Sequence, residues 1–465
     1  MPRITALERR RICFKCVKEE YLSSKIVCTG KLARCFYCAN KGKTILVQII
    51  GECIETAFEE HYYPTSPEGD YEGDRDGEPV ANIIAEAAGI SDEAAEDVRK
   101  LLEDKHSDFE RDKIGDEGPY DEDTLYAERG KNPEAFMSAW DEFERTLKQE
   151  SRFLSSITER SLRKIFKGLM DLKTHSGNSV IIEAGPEKSL NELHRARVFQ
   201  SNQALKQALE QPDIHLGPPP SKLASAGRMN AQRISVFYGA ITRDAALSEV
   251  RPPVGSQVVI ARFKIIRPLR LLYVETLRTV TVTGSIFNKQ YGVDLERALF
   301  LKILSTRISK PILPHDEPFE YLATQVITEF LASEFKLDGL IYHSVQAGEG
   351  DNVVLFHHAA RVVAHELPKG TKISVSLYAA TEDGGEVDYS VHEEVPEKPI
   401  LEPSRHYPEA FCENLPWKPH DERKPSLEID AQNLAVLHIS GVKFNTKTYP
   451  VFRHRSIDQG RSGLF

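Results

Sequence analysis

Two cysteine pairs, Cys13-x2-Cys16 and Cys35-x2-Cys38, separated by eighteen residues, constrain this chain more than any other feature. A CxxC turn directs both sulfurs to one point, and two such turns complete a tetrahedron. The segment is small and Cys-rich, with little core of its own, so metal binding would drive its folding. Four thiolates leave no open coordination position, so a structural zinc is expected on Cys13, Cys16, Cys35 and Cys38. Cys28 lies between the pairs without a CxxC partner. The segment is also basic, with Arg9, Arg10, Arg11, Lys15 and Lys18 among its cations. That suits protein docking as well as nucleic acid, and nothing selects nucleic acid.

At 465 residues the chain is too long for one ordinary compact unit. Its net charge of -10 and pI of 5.9 exclude a protein that coats nucleic acid through bulk charge. No apolar run approaches the ~20 residues that a membrane helix needs. The arginines of the first eleven residues have no apolar stretch behind them, so no export signal is read and a cytoplasmic location is expected. In that compartment paired cysteines hold metal more often than disulfides.

Periodicity divides the chain into four regions. Residues 1–60 form the four-cysteine zinc-binding segment and a helix, with Ile45, Ile49, Ile50, Ile54 and Phe58 at helical spacing. Pro64 to Pro79 is Gly-rich and acidic and reads as a linker. Residues 80–175 read as a helical bundle. Ser91 caps one helix, and Phe136, Trp140, Phe143 and Leu147 stripe another. Residues 180–390 are mixed α+β. Strands are expected at Ser235–Ala240, Gln257–Ile266, Leu269–Val274, Leu340–Tyr342 and Val353–Phe356, with two helices between them marked by Leu295–Leu304 and Phe319–Phe335. Residues 391–465 form a C-terminal loop, Glu394 to Pro425, and a β extension with strands near Leu434–Ile439 and Thr448–Arg453.

The mixed region carries short polar motifs at the ends of apolar runs. In order they are His194-Arg195-Ala196-Arg197, Pro218-Pro219-Pro220, Gly227-Arg228-Met229-Asn230, Phe237-Tyr238-Gly239-Ala240, Ala246-Leu247-Ser248-Glu249, Asp338-Gly339-Leu340-Ile341-Tyr342-His343-Ser344 and Asn352-Val353-Val354-Leu355-Phe356. By this order and spacing, residues 190–360 resemble the RES family. The N-terminal part resembles the HEPN-like extension of a subgroup of that family. The resemblance implies a domain similar to ADP-ribosylating toxins. It also implies degradation of NAD by phosphorolysis or hydrolysis, in a toxin or defence effector that an antitoxin or immunity protein restrains.

Carried over residue by residue, the resemblance places catalytic roles on Arg195, Tyr238, Glu249 and Ser344, and binding roles on Arg197, Arg228 and Asn230. Met229 stands where an aromatic is common, so ring stacking must come from elsewhere. The residue types suit the chemistry. Arginine holds phosphate oxygens through paired hydrogen bonds. Nicotinamide leaves as a neutral group, and a carboxylate stabilises the cationic ribose left behind. Two further readings stand beside this one: transfer of ADP-ribose to a macromolecule, which the fold similarity allows, and a non-catalytic zinc-dependent regulator that binds nucleic acid or protein and whose RES-like part is inactive. Arg99-x6-His106 has the spacing of a HEPN ribonuclease motif, but both residue types are common and a structural bundle is expected. His357, His358 and His365 lack a supporting carboxylate pair, and Cys412 lacks a base.

Overall fold

A computed structural model of the chain describes residues 4–65, 77–107, 118–150, 155–313, 315–344, 346, 348, 350–381, 384–397, 421–443 and 446–455. Cys412 lies outside these residues, as do most of Pro64–Pro79 and Glu394–Pro425. The architecture is mixed α+β. No helix among the described residues is long and apolar enough to cross a membrane.

The first sheet is small. Strands β1 (Arg11–Cys13), β2 (Lys31–Arg34) and β3 (Lys41–Leu46) pair antiparallel in the order β1-β3-β2. Helix α1 (Glu20–Thr29) packs against them, and α2 (Val47–His61) continues directly from β3. Helices α3 (Val80–Ala88) and α4 (Asp92–His106) close one core over Ile12, Leu22, Ile26, Ile50, Ile54, Ile84 and Val98. Ser91 Oγ accepts from Ala94 N at the start of α4, the cap that its sequence suggests.

Helices α5 (Glu134–Arg145) and α6 (Ser156–Ile165) do not join that core. Phe136, Trp140, Phe143, Leu162 and Ile165 pack instead on Phe300, Leu304, Ile327 and Leu331. These belong to α8 (Lys289–Ser309) and α9 (Glu317–Glu334). The single bundle expected over 80–175 is therefore divided between two cores. The reason is the apolar stripe of α5, whose aromatic rings match the face of α8.

A nine-stranded sheet organises the rest. Its strands are β4 (Ile181–Ala184), β5 (Glu192–Phe199), β6 (Phe237–Ala240), β7 (Gln257–Ile265), β8 (Leu269–Tyr273), β9 (Gly339–His343), β10 (Asp351–Leu355), β13 (Leu427–Ile429) and β14 (Ala435–His438). The order is β13-β7-β5-β6-β10-β9-β8-β4, with β14 also on β7. Only β8 and β9 run parallel. Alternation puts Tyr238, Leu340, Tyr342 and Val354 on the face covered by α8 and α9. Leu193, Phe237, Ile341, Val353 and Leu355 fill the opposite core.

Two departures from the sequence reading stand out. Strands β11 (Lys372–Thr381) and β12 (Gly384–Glu394) form a separate hairpin that was not expected. Thr448–Arg453 is not a strand. Tyr449, Val451 and Phe452 are exposed there, because β14 has already taken the available edge of β7.

Candidate functional site

The Gly227–Asn230 turn is pinned from two sides. Helix α9 holds its carbonyls: Thr324 Oγ1 donates to Arg228 O at 2.5 Å, Gln325 Nε2 to Gly227 O at 2.8 Å and Thr328 Oγ1 to Met229 O at 3.1 Å. Arg228 reaches the other way. Its Nη1 donates to Ile308 O at 2.8 Å and its Nη2 to Lys310 O at 2.6 Å, satisfying carbonyls that the end of α8 leaves open. Arg228 also lies 5.8 Å from the centroid of the Tyr321 ring. Met229 is buried in the core. The aromatic rings that face the ligand space come from Tyr238, Tyr321 and Tyr342 instead.

Tyr238 on β6 is locked by this turn. Its hydroxyl donates to Asn230 Oδ1 at 2.8 Å and accepts from Met229 N at 3.0 Å. Gly227 must be glycine, since a Cβ there would lie 2.7 Å from that same hydroxyl oxygen. Burial pushes the Tyr238 phenol well above its ordinary range, so it stays a neutral donor.

Glu249 ends the short helix α7 (Arg243–Glu249), which Thr242 caps through Ala245 N at 3.3 Å. Its Oε2 accepts from Asn352 Nδ2 at 3.0 Å across to β10. Asn352 is 3% exposed, and its Oδ1 is buried without a partner. Tyr342 lies in the same wall. Its burial, aided by the negative charge of Glu249, raises its phenol far above the usual range. Arg251 follows two residues after Glu249 with φ of +43°, a conformation rarely held by a non-glycine residue.

These side chains surround one cleft of about 300 Å³, with Arg228, Tyr238, Glu249, Arg251, Tyr342 and Asn352 among its walls. Ser344 is buried just behind it. Its N–H donates to Gly350 O at 2.9 Å, while its neighbours His343 and Gln346 face the cleft. Asn230 acts from behind, through Tyr238.

Arg195 and Arg197 do not line the cleft. Both lie on β5, and alternation gives them the face of Leu193 and Phe199, opposite Tyr238. The Arg195 guanidinium stands 5.0 Å from the Phe237 ring centroid, and its Nη1 is buried with no partner. Burial, with repulsion from Arg197, lowers its pKa to about 10. Arg197 Nη1 donates to His215 O. Sequence inspection missed Asn352, Tyr342 and Arg251 as cleft residues. Strand alternation could have paired Tyr342 with Tyr238, but the Glu249–Asn352 contact spans 103 residues and leaves no local signal.

The four paired thiols converge at one end of the first sheet. The Sγ atoms of Cys13, Cys16, Cys35 and Cys38 all lie within 4.8 Å of one another. Cys13 and Cys16 are 3.7 Å apart, Cys13 and Cys38 3.6 Å, and Cys16 and Cys35 3.9 Å. A tetrahedral site with metal–sulfur bonds of ~2.3 Å needs about 3.8 Å between sulfurs. The set can therefore hold a metal ion. Cys28 is exposed and stands outside it.

Arg99 and His106 are engaged structurally. Arg99 donates through Nε and Nη2 to Glu96, at 2.9 Å each, and through Nη1 to Glu103 at 3.0 Å and Tyr120 O at 2.8 Å. His106 Nε2 meets Glu55 Oε1 at 2.7 Å. His357 Nδ1 contacts Ser235 O, and His358 and His365 pair with Asp338 and Glu393. No metal cluster forms from them among the described residues.

Fold and site together define a mixed α+β domain with a tyrosine-walled polar cleft, which follows a thiol-rich helical module. Comparison with protein families is specific on both parts: residues 193–377 match the RES domain, and residues 29–161 match the HEPN/RES N-terminal domain 1. The chain belongs to the RES-domain proteins with this N-terminal extension, a family associated with toxin–antitoxin systems. Comparison with curated proteins and with solved structures found no match.

Proposed function

We propose that the RES domain cleaves the nicotinamide–ribose bond of NAD, with water or inorganic phosphate as acceptor, and that the protein serves as a toxin or defence effector. The observation that carries this reading is the Glu249 carboxylate, fixed by Asn352 in a cleft walled by tyrosines. The bond to nicotinamide breaks with its electron pair going to the ring nitrogen, which becomes neutral. No general acid is needed. The ribose carbon becomes cationic, and Glu249 stabilises it at short range in a partly dehydrated cleft. Tyr238 and Tyr342 offer flat faces for the nicotinamide or ribose and neutral hydroxyls for positioning. Arg228 and Arg251 on the cleft wall offer guanidinium groups of the kind that hold a diphosphate. The acceptor oxygen then bonds to the ribose carbon. Water loses one proton to solvent, and phosphate adds directly as its anion. Ser344 orders the turn beside His343 and so shapes that approach.

Arg195 belongs to this proposal as a positioning residue. Its cation supports Phe237 and, through the backbone of β6, the placement of Tyr238. The four thiols are assigned a structural zinc, which would hold both CxxC turns on the small sheet. An antitoxin or immunity protein is the proposed restraint in the cell.

Incubation of purified protein with NAD, with and without phosphate, tests the reading. Nicotinamide with ADP-ribose identifies hydrolysis, and nicotinamide with ADP-ribose-1″-phosphate identifies phosphorolysis. Label on a macromolecule would replace the proposal with ADP-ribosyl transfer. Intact NAD would leave the cleft as a binding site only.

A further inference from the structure

A second cavity of about 550 Å³ adjoins the cleft. The two share Pro311 and Ile312, in the segment between α8 and α9. Arg228, which holds Lys310 O at 2.6 Å, anchors the start of that seam. One wall of the second cavity comes from the N-terminal domain, through Trp140 and Asp141 on α5. The other comes from the RES domain, through Arg307, Lys310 and Asp316.

Its chemistry is incomplete as it stands. Trp140 is 3% exposed, and its indole Nε1–H is buried with no acceptor. A buried donor left unmade is costly, and native proteins satisfy such groups with protein, water or ligand. The Arg307 guanidinium lies 5.7 Å from the Trp140 ring centroid. Glu144 and Glu320 on the rim already share Lys148, at 3.7 and 2.9 Å. Asp141 and Asp316 have no ion pair among the described residues.

We propose that this cavity takes the adenosine half of the dinucleotide whose nicotinamide end sits at Glu249, an inference that rests on the functional reading above. Adenine has ring-nitrogen acceptors for the Trp140 N–H and a flat face for Arg307. A ribose diol has two donors for the carboxylate of Asp141 or Asp316, the same pairing by which acidic side chains hold nucleotide ribose elsewhere. The diphosphate between the two nucleosides crosses at Pro311–Ile312, with Lys310 on one side and Arg251 on the other. The N-terminal domain thus supplies part of the substrate site, and the RES domain without it has half a pocket.

Trp140 is one of two tryptophans, the other being Trp417, so Trp417→Phe leaves a single reporter in the cavity. Titration of that protein with AMP should quench Trp140 emission saturably, and nicotinamide mononucleotide should not. Absence of AMP quenching would overturn the inference. The second measurement compares kcat/KM for NAD with that for nicotinamide mononucleotide, which lacks the adenosine half. Trp140→Phe and Asp316→Asn should each lower the preference for NAD about five- to tenfold. An unchanged preference in both folded variants would also overturn it. If the parent protein releases no nicotinamide at all, the functional reading fails, and the AMP titration still decides what the cavity binds.

Discussion

At the scale of single residues, the cleft sets the Glu249 carboxylate against Asn352, whose Nδ2 holds it while its Oδ1 is buried without a partner. Glu249→Gln keeps the shape and the contact to Asn352 but removes the charge. Nicotinamide release should fall by about 10²- to 10³-fold while Tm is retained. Product chromatography beside a thermal melt checks this, and near-normal turnover would remove Glu249 from the chemistry. Arg195 supports an opposite kind of prediction. Burial, with repulsion from the neighbouring Arg197, lowers its pKa to about 10. An enclosed cation with an unpaired Nη1 is a burden on folding. Arg195→Met, similar in size and neutral, should therefore raise stability by ~1 kcal/mol while turnover falls. A lower Tm in denaturation would show that the cation is structural. These two residues were visible in the sequence as motif members. Their unequal placement was not, because one residue of strand register decides the face and no local pattern near Arg195 favours either.

At the scale of elements, β9 shows why a short motif can be so restrictive. A Cβ on Gly339 would fall 2.1 Å from Val354 O, inside the β9–β10 ladder. Gly339→Ala should cost about 2–3 kcal/mol, since the strands must part or the chain must shift, and urea denaturation would measure it. The preceding Asp338 ties three strands together. Burial alone would raise its pKa, but hydrogen bonds from His358, the Arg270 N–H and Arg267 prevail and hold it below the ordinary 3.8. A carboxylate depressed in the folded state adds stability above its unfolded pKa and loses it as pH falls through the folded value. Acid unfolding should thus include a component below about pH 4. Asp338→Asn should remove that component and flatten the low-pH arm of a Tm-versus-pH curve. An identical arm in the variant would assign the acid sensitivity elsewhere. The strands rich in Val, Ile and Leu, such as Gln257–Ile265 and Asp351–Leu355, were legible from composition. Strand β5 was not, because Glu192, His194, Arg195 and Arg197 give it the look of a surface segment.

At the scale of the molecule, the two groups of helices answer to different cores. The thiol cluster, the small sheet and α1–α4 share one, and α5, α6 and the large sheet share others. Tyr37, inside the second CxxC turn, donates to Asp97 on α4 at 2.6 Å, and Arg10 pairs with the same carboxylate. Metal loss should therefore pass from the cysteines into α4. Purified protein should contain about one zinc per chain, and Cys16→Ser with Cys38→Ser should abolish it. Circular dichroism should then show a separate early loss of helix before the main transition. A single unshifted transition without metal would remove the cluster's structural role.

The sequence by itself determined the elements with strong period, the convergence of four cysteines and the set of motifs around the cleft. Each is a short-range property, in which side-chain pattern, capping or a fixed turn acts within a few residues. Tertiary structure alone decided that α5 leaves the expected bundle for α8, that Asn352 holds Glu249, and that Arg195 stands behind the sheet. Those outcomes depend on which apolar faces meet and on strand register, and both are settled only when segments a hundred residues apart compete for the same buried surface.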